Sequence, residues 1–344
     1  ITGTSSFTTS TSNATITLDN TSNAFTGAVV LSTSGSSGDV TIDNGITALV
    51  IAASSIGGNL TLTSGNASGI TDSGTVTVGG NLAATTNANS GVINMDTLAV
   101  DGTITLTTDG GGNATVVNAS GINLAASTVG GALSATATTG NIIQSGALVI
   151  TGTTTLVTSA NDATITLDNT SNAFTGALTI TTNDASGTDA DATIDGGTTA
   201  LVIDASTIDG DLTLTSGNAS GITDSGTVTV GGNLAATTDA NAGVINMANL
   251  AVTGTVGLTT DSTGNAIVVN ASGLNLAAST VGGTLGATAT TGNVIQSGDL
   301  TIACPCTFVT GADGSNIILD SSGNAFAAAV TMKADDGSEA FGNI

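Results

Sequence analysis

The chain of 344 residues carries 25 acidic side chains and one basic side chain, which gives it a formal net charge of −24. Nucleic acids and anionic membrane surfaces bind proteins mainly through cationic side chains, so this charge excludes both as partners. No run reaches the roughly 18 apolar residues that a membrane-spanning helix needs, and we expect no membrane insertion.

One stretch of the chain occurs twice: residues 60–86 return letter for letter as residues 212–238, an offset of 152. The self-similarity extends over a first superrepeat (1–149), a second (150–301) and a partial third copy (302–344). Near the start the offset is 149, and three inserted residues within 180–192 raise it to 152, as a surface turn permits. We predict one solenoid domain over residues 1–344, a single elongated rod.

A shorter period runs inside each superrepeat. Leu60, Leu82 and Ile104 lie 22 residues apart, and Ile70 precedes Val92 by the same step. Along each run apolar residues alternate with Thr, Ser or Asn, and Gly-rich segments separate the runs, a pattern that predicts short strands with one buried face. The fold class is therefore all-β, a parallel β-solenoid (β-helix) with coils of about 22 residues and aliphatic side chains pointing inward.

The side chains that usually carry acid–base catalysis are scarce, because the chain has no His and Lys333 is its one basic residue. Polysaccharide lyases built on β-helices commonly use Arg or Lys as the base, and general acid–base catalysis elsewhere relies on His. Paired Asp residues could hydrolyse glycosides, but here they sit in repeated turns rather than in one unique cleft. We predict no enzymatic activity and no cofactor.

Four aspartates in and after the inserted loop are weak candidates for a calcium site, since carboxylate oxygens are the ligands that calcium prefers. Their spacing matches neither the EF-hand loop nor the glycine-rich calcium nonapeptide, and a solvated acidic turn is the alternative. The candidate ligands are Asp184, Asp189, Asp191 and Asp195.

Both cysteines lie in the partial third copy, as Cys304 and Cys306 on either side of Pro305. Residues two apart on a strand share a face at a greater distance than a disulfide allows, so a bridge between them requires a local kink. An intramolecular disulfide, a crosslink between subunits and two free thiols remain open. The same segment holds the one Lys and the one Glu of the chain, so 302–344 is either a cap or a subunit joint.

Many strands contain Thr-x-Thr, and stacked threonines on a flat face resemble ice-binding solenoids. Thr is also the ordinary outward residue of a half-buried strand. Because the step from Ile104 to Leu133 is 29 residues rather than 22, we expect a threonine array to be interrupted there. Repeated Asn at the turns is expected to form stacked amide ladders.

The phrases GNLTLT (58–63), GTVTVGG (74–80) and GTITLTT (102–108) resemble the repeats of large bacterial exoproteins of the filamentous haemagglutinin and autotransporter kind. The resemblance implies a secreted or surface-anchored, right-handed β-solenoid. On this basis the expected function is an extracellular structural protein, a subunit or segment of a cell-surface filament, sheath or stalk that associates with itself end to end. An adhesin stalk that binds host or neighbouring cells through a carbohydrate or other surface ligand is the alternative, and an ice-binding solenoid is a minor one.

Overall fold

The computed structural model describes residues 1–183 and 189–334. The chain divides into two compact units, Ile1–Asn169 with Ala173–Gly176 (unit 1) and Thr170–Asn172 with Ala177–Ile344 (unit 2). Over the described ranges all regular structure is β-strand, and no helix there is long and apolar enough to cross a membrane.

The strands of unit 1, in chain order, are β1 (Ser5–Thr8), β2 (Ile16–Leu18), β3 (Val29–Ser32), β4 (Val40–Asp43), β5 (Leu49–Ile51), β6 (Ser54–Ile56), β7 (Leu60–Ser64), β8 (Ile70–Asp72), β9 (Val76–Val78), β10 (Leu82–Thr86), β11 (Ile93–Val100), β12 (Thr103–Thr107), β13 (Ala114–Asn118), β14 (Ile122–Leu124), β15 (Ser127–Val129), β16 (Leu133–Ala137), β17 (Ile142–Gln144), β18 (Leu148–Ile150), β19 (Thr154–Thr158), β20 (Ile165–Leu167) and β21 (Ala173–Phe174).

The strands of unit 2 are β22 (Leu178–Thr181), β23 (Ala192–Asp195), β24 (Leu201–Ile203), β25 (Ser206–Ile208), β26 (Leu212–Ser216), β27 (Ile222–Asp224), β28 (Val228–Val230), β29 (Leu234–Thr238), β30 (Ile245–Val252), β31 (Thr255–Thr260), β32 (Ala266–Asn270), β33 (Leu274–Leu276), β34 (Ser279–Val281), β35 (Leu285–Ala289), β36 (Val294–Gln296), β37 (Leu300–Ile302), β38 (Cys306–Thr310), β39 (Ile317–Ile318), β40 (Ala325–Phe326) and β41 (Val330–Ala334).

Each strand pairs in parallel with the strand one coil earlier or later, which confirms the predicted β-solenoid. Leu60, Leu82 and Ile104 are direct ladder partners, so the 22-residue coil is also confirmed. These three side chains are fully buried, whereas Thr61 and Thr105, the next residues along two of the strands, point outward. Burial of each such aliphatic side chain contributes about 1.5–3 kcal/mol, and stacking like on like keeps the narrow interior filled.

Two predicted alignments are wrong. Ile70 pairs with Ile93 rather than Val92, a coil of 23 residues. Ile104 pairs with Leu124 in the next coil, while Leu133 pairs with Ala114 in the other sheet, so no coil of 29 residues exists here. The reason is a change of coil geometry, because similar five-residue strands move from one sheet to the other.

Each unit has two sheets, which we call A and B. Sheet A holds β1, β3, β5, β6, β8, β9, β11, β13, β16 and β19 in unit 1, and β22, β24, β25, β27, β28, β30, β32, β35, β38 and β41 in unit 2. Sheet B holds the other strands of each unit.

Two coil types follow from this distribution. In A-split coils, sheet B has one strand and sheet A has two short strands with a bend between them, as in β7 followed by β8 and β9. In B-split coils the roles are exchanged, as in β16 followed by β17 and β18. The single strands are about five residues long in both types, so their sequences look alike although they lie in different sheets.

The coil type changes at two kinds of junction. At a first junction, B-split coils give way to A-split coils, where β3 meets β5 and β6 in unit 1 and β22 meets β24 and β25 in unit 2. At a second junction the change is reversed, where β12 meets β14 and β15 in unit 1 and β31 meets β33 and β34 in unit 2. At each junction one strand faces a bent pair of strands.

Candidate functional site

Among the described residues, the predicted calcium ligands do not form a cluster. Asp184 lies outside the described residues, and Asp189 is exposed. Asp191 accepts a hydrogen bond from the backbone N–H of Asp211 at 2.7 Å, whereas Asp195, at the far end of β23, accepts one from Gly197 N–H at 2.7 Å. In the described part of the chain no three acidic or thiol side chains form a metal-binding group. The carboxylates of Asp191 and Asp195 each accept a hydrogen bond from a backbone N–H group at a turn.

Cys304 and Cys306 are free thiols in the structure. Cys306 begins β38 and points into the core, where burial raises the pKa of its thiol. Cys304 is half-buried at the preceding corner, with its Sγ 3.7 Å from the carbonyl oxygen of Gly282. A buried thiol with a raised pKa holds little thiolate, so Cys306 is poorly suited to nucleophilic or redox chemistry.

Asn and Asp side chains form ladders at the turns as predicted, but on one corner of unit 1 each side-chain oxygen accepts from the backbone N–H of the next coil rather than from a stacked amide. There, Asp39 Oδ1 accepts a hydrogen bond from Asn59 N–H at 2.7 Å, Asn59 Oδ1 accepts from Asn81 N–H at 2.8 Å, and Asn81 Oδ1 accepts from Thr103 N–H at 2.8 Å. Unit 2 repeats this ladder with Asp191 and Asp211 in the first two places. Each side chain thus ties its own coil to the next.

Outward threonines form columns in register on sheet B. Thr63, Thr85, Thr107 and Thr128 occupy successive coils of unit 1. The column therefore continues through the coil at which an interruption was expected. The corresponding column of unit 2 comprises Thr215, Thr237, Thr259, Thr280 and Thr301. The adjacent column is less regular, because Ala83 interrupts it in unit 1 and Ala235 and Gly257 interrupt it in unit 2.

A buried serine closes each junction between coil types. At the first junction of unit 1, the backbone N–H of Leu31 donates to Ser54 Oγ at 3.0 Å, and Ser54 Oγ–H donates to the Ala52 carbonyl at 2.7 Å. Ser54 lies in an inward column, where its partner in the next coil is Val76. Because the chain bends between β5 and β6, no backbone carbonyl of these strands accepts from Leu31 N–H in β3, and the Ser54 hydroxyl accepts this hydrogen bond instead. Equivalent serines at the other junctions are Ser127, Ser206 and Ser279.

A buried asparagine accompanies the serine at three of these junctions. In unit 1, Asn118 Oδ1 accepts a hydrogen bond from Val100 N–H at 2.8 Å, and its Nδ2 donates to the Val100 carbonyl at 3.0 Å and the Gly121 carbonyl at 2.7 Å. Asn44 brackets the backbone of Phe25 in the same way, as Asn270 brackets that of Val252. One amide side chain therefore satisfies the backbone of a residue that has no ladder partner in the following coil.

The two eight-residue strands next to the second junctions, β11 and β30, each contain a shift of register, and a carboxylate accepts hydrogen bonds from the backbone N–H groups at that shift. The register of β11 against β13 shifts between Met95 and Leu98. At this step Asp72 accepts hydrogen bonds from the backbone N–H groups of Asp96 at 3.2 Å and Thr97 at 2.9 Å. Asp224 does the same for Ala248 and Asn249 beside β30, at 3.1 and 2.6 Å.

The sequence-based predictions missed these junction residues, although a signal was present. The four serines occur in the similar phrases LVIAASSI (49–56), INLAASTV (122–129), LVIDASTI (201–208) and LNLAASTV (274–281). In each phrase Ser replaces an aliphatic residue at an inward position of the alternation. A polar residue at a core position is a sign of an internal hydrogen bond.

Comparison with known proteins gives one match. A family model described as repeats of unknown function (DUF5649) matches residues 1–32, 111–181 and 263–333, together slightly more than half of the chain. No curated protein and no solved structure matches significantly. Each matched segment ends in a single strand of sheet A, namely β3, β22 or β41. The unmatched segments 33–110 and 182–262 contain the A-split coils.

Proposed function

The chain belongs to the DUF5649 family of repeats, and from that premise we propose that it is an extracellular structural protein, a β-solenoid subunit or segment of a cell-surface filament, sheath or stalk. The observation that carries the proposal is the continuity of the ladders within each unit. Successive coils are joined by parallel backbone pairing, by corner amide ladders and, at the junctions, by buried side chains. Such a body resists extension along its stacking direction through many hydrogen bonds at once.

The proposed partner is a second copy of the chain, joined end to end. Open edges of parallel ladders pair readily with further strands. The net charge of −24 opposes indiscriminate association between copies, which supports a specific contact over aggregation. The extracellular location is proposed from the resemblance to secreted solenoids described above.

Electron microscopy of native material, with immunogold labelling of unpermeabilised cells, tests the proposal. Labelled surface fibres or sheaths with an axial repeat along their length are the expected result. Label confined to the cell interior would overturn the extracellular location. Label on dispersed surface molecules without fibres, with attachment to cells lost when the gene is deleted, would favour the adhesin instead.

A second candidate function, ice binding, is favoured by the threonine columns of sheet B. Their spacing along the stacking direction is about 4.7–4.9 Å. Thermal hysteresis of the purified chain tests this candidate. If it holds, Thr85→Lys with Thr237→Lys abolishes the hysteresis, whereas Thr77→Lys with Thr229→Lys, on exposed positions of sheet A, leaves it unchanged. Absence of hysteresis in the unsubstituted chain rules the candidate out.

A further inference from the structure

The junctions have fewer ladder pairs than the rest of the solenoid. Strand β7 pairs with β10 at all five of its positions, from Leu60 to Ser64. At the first junction of unit 1, by contrast, β3 pairs with the split strands at two positions, Val29 with Ile51 and Ser32 with Ser55. The first junction of unit 2 shows the same two pairs, formed by Leu178 and Thr181 of β22.

A single hydroxyl makes up for part of this loss. In unit 2 the backbone N–H of Ile180, a fully buried residue, donates to Ser206 Oγ at 3.0 Å, and Ser206 Oγ–H donates to the Asp204 carbonyl at 2.7 Å. Without the hydroxyl this N–H would be buried and unpaired, which is costlier than the net gain from an ordinary hydrogen bond. The hydroxyl therefore supplements a reduced set of backbone bonds across the junction in sheet A, Thr182 N–H to Thr207 and Asp204 N–H to Leu178, while β23 and β26 of sheet B keep four ladder pairs.

We infer that the junctions are built-in opening points, at which the folded chain separates first into blocks of one coil type. In a solenoid each coil contacts only its neighbours, so stability is a sum of coil and interface contributions. The interface with the fewest bonds then opens at the lowest free energy. The inference deepens the proposed function, on which it rests for its biological relevance, because a stalk under load would yield in blocks and re-form.

The blocks correspond to the two kinds of sequence in the chain. The unmatched segments 33–110, in unit 1, and 182–262, in unit 2, contain the A-split coils, whereas the matched segments contain B-split coils. Each A-split block, of 78 or 81 residues, releases about 260–290 Å of chain when it unfolds, at 3.3–3.6 Å per residue. A single coil of 22 residues would release about 75 Å, and a whole superrepeat of 152 residues about 500–550 Å.

Single-molecule extension of the purified chain distinguishes these cases, and it does not depend on where the protein is located. Steps of about 260–290 Å, one for each A-split block, are expected. Steps of one coil, or of a superrepeat or more, would overturn the inference. Failure of the proposed function would show instead in the microscopy, as label inside the cell, and would leave these steps unchanged.

Hydrogen exchange with a matched pair of variants provides the second test. Ser206→Ala removes the junction hydroxyl, whereas Ser216→Ala removes another buried hydroxyl that donates to Thr199 at 2.8 Å within the A-split block. We expect Ser206→Ala to speed exchange in peptides covering β22 and β25 by about 5- to 30-fold, the factor for 1–2 kcal/mol, with less effect elsewhere. Equal effects of the two variants on these peptides would contradict the inference. If Ser206→Ala does not fold, exchange in the unsubstituted chain decides, because junction peptides must then exchange before those of β29, which pairs with β26 on one side and β31 on the other.

Discussion

Replacing Asn118 by Ala tests whether buried side chains hold the second junction together. The substitution removes the acceptor of the Val100 N–H and the donor to the Gly121 carbonyl, and Asn118 is 1 % exposed. Each buried backbone group left unpaired costs about 1–3 kcal/mol. With partial relaxation and some entry of water, we expect the free energy of unfolding to fall by about 2–5 kcal/mol.

Asn113→Ala is the matched control, because Asn113 is exposed and its Oδ1 accepts a hydrogen bond from Ala132 N–H at 2.8 Å. Water replaces that bond when the amide is removed, so the expected loss is at most about 1 kcal/mol. Urea unfolding followed by circular dichroism measures both variants against the unsubstituted chain. If Asn118→Ala destabilises the chain no more than Asn113→Ala does, the buried amide does not hold the junction together.

Three further predictions follow from other parts of the chain. Burial raises the folded-state pKa of the Cys306 thiol, so the contribution of the buried thiol to stability is complete below the unfolded-state pKa and is lost as the pH rises through the folded-state pKa. Between pH 8 and pH 10.5 the melting temperature should therefore fall more steeply for the unsubstituted chain than for Cys306→Ala, and parallel falls would contradict this. Asp224→Ala removes a charged acceptor from two backbone N–H groups and should lower the free energy of unfolding in urea by about 1–2 kcal/mol. Asp239→Ala, at an exposed turn, should have a smaller effect, and a comparable loss there would count against a special role of the Asp224 carboxylate. Deleting 111–262 joins positions that are equivalent in the repeat, so circular dichroism should show a folded chain. Deleting 111–181 instead places β12 and β23, both of sheet B, in succession with no sheet A strand between them, and should impair folding; equal folding of the two deletions would refute the argument from coil type.

The sequence predicts the solenoid well because its two main signals are physical. Alternation of Leu60, Thr61 and Leu62 tells which side chains point inward, and the 22-residue step tells which of them stack. The alternation does not tell in which sheet a strand lies, since an inward residue has the same chemistry in both. The strand at Leu133 therefore looked like a partner of Ile104, although it lies in the other sheet.

The candidate sites were less predictable, because their geometry depends on how the chain turns. Asp191 and Asp195 are close in sequence, yet the extended strand between them carries them to opposite ends of β23. Ser54 and Asn118 occupy inward positions of the alternation, but the sequence does not show which backbone groups they satisfy. Their role becomes visible when the backbone groups that they satisfy, on neighbouring coils, are known.

The return of the same coil type after each superrepeat has a genetic consequence. Unequal crossing-over between the coding sequences of 60–86 and 212–238, which specify identical peptides, adds or removes 152 codons in frame. Each product rejoins an A-split coil to an A-split coil, with the same residues in the inward columns. The gene can thus lengthen or shorten the protein by whole superrepeats while every new contact between coils remains one that already exists in the parent.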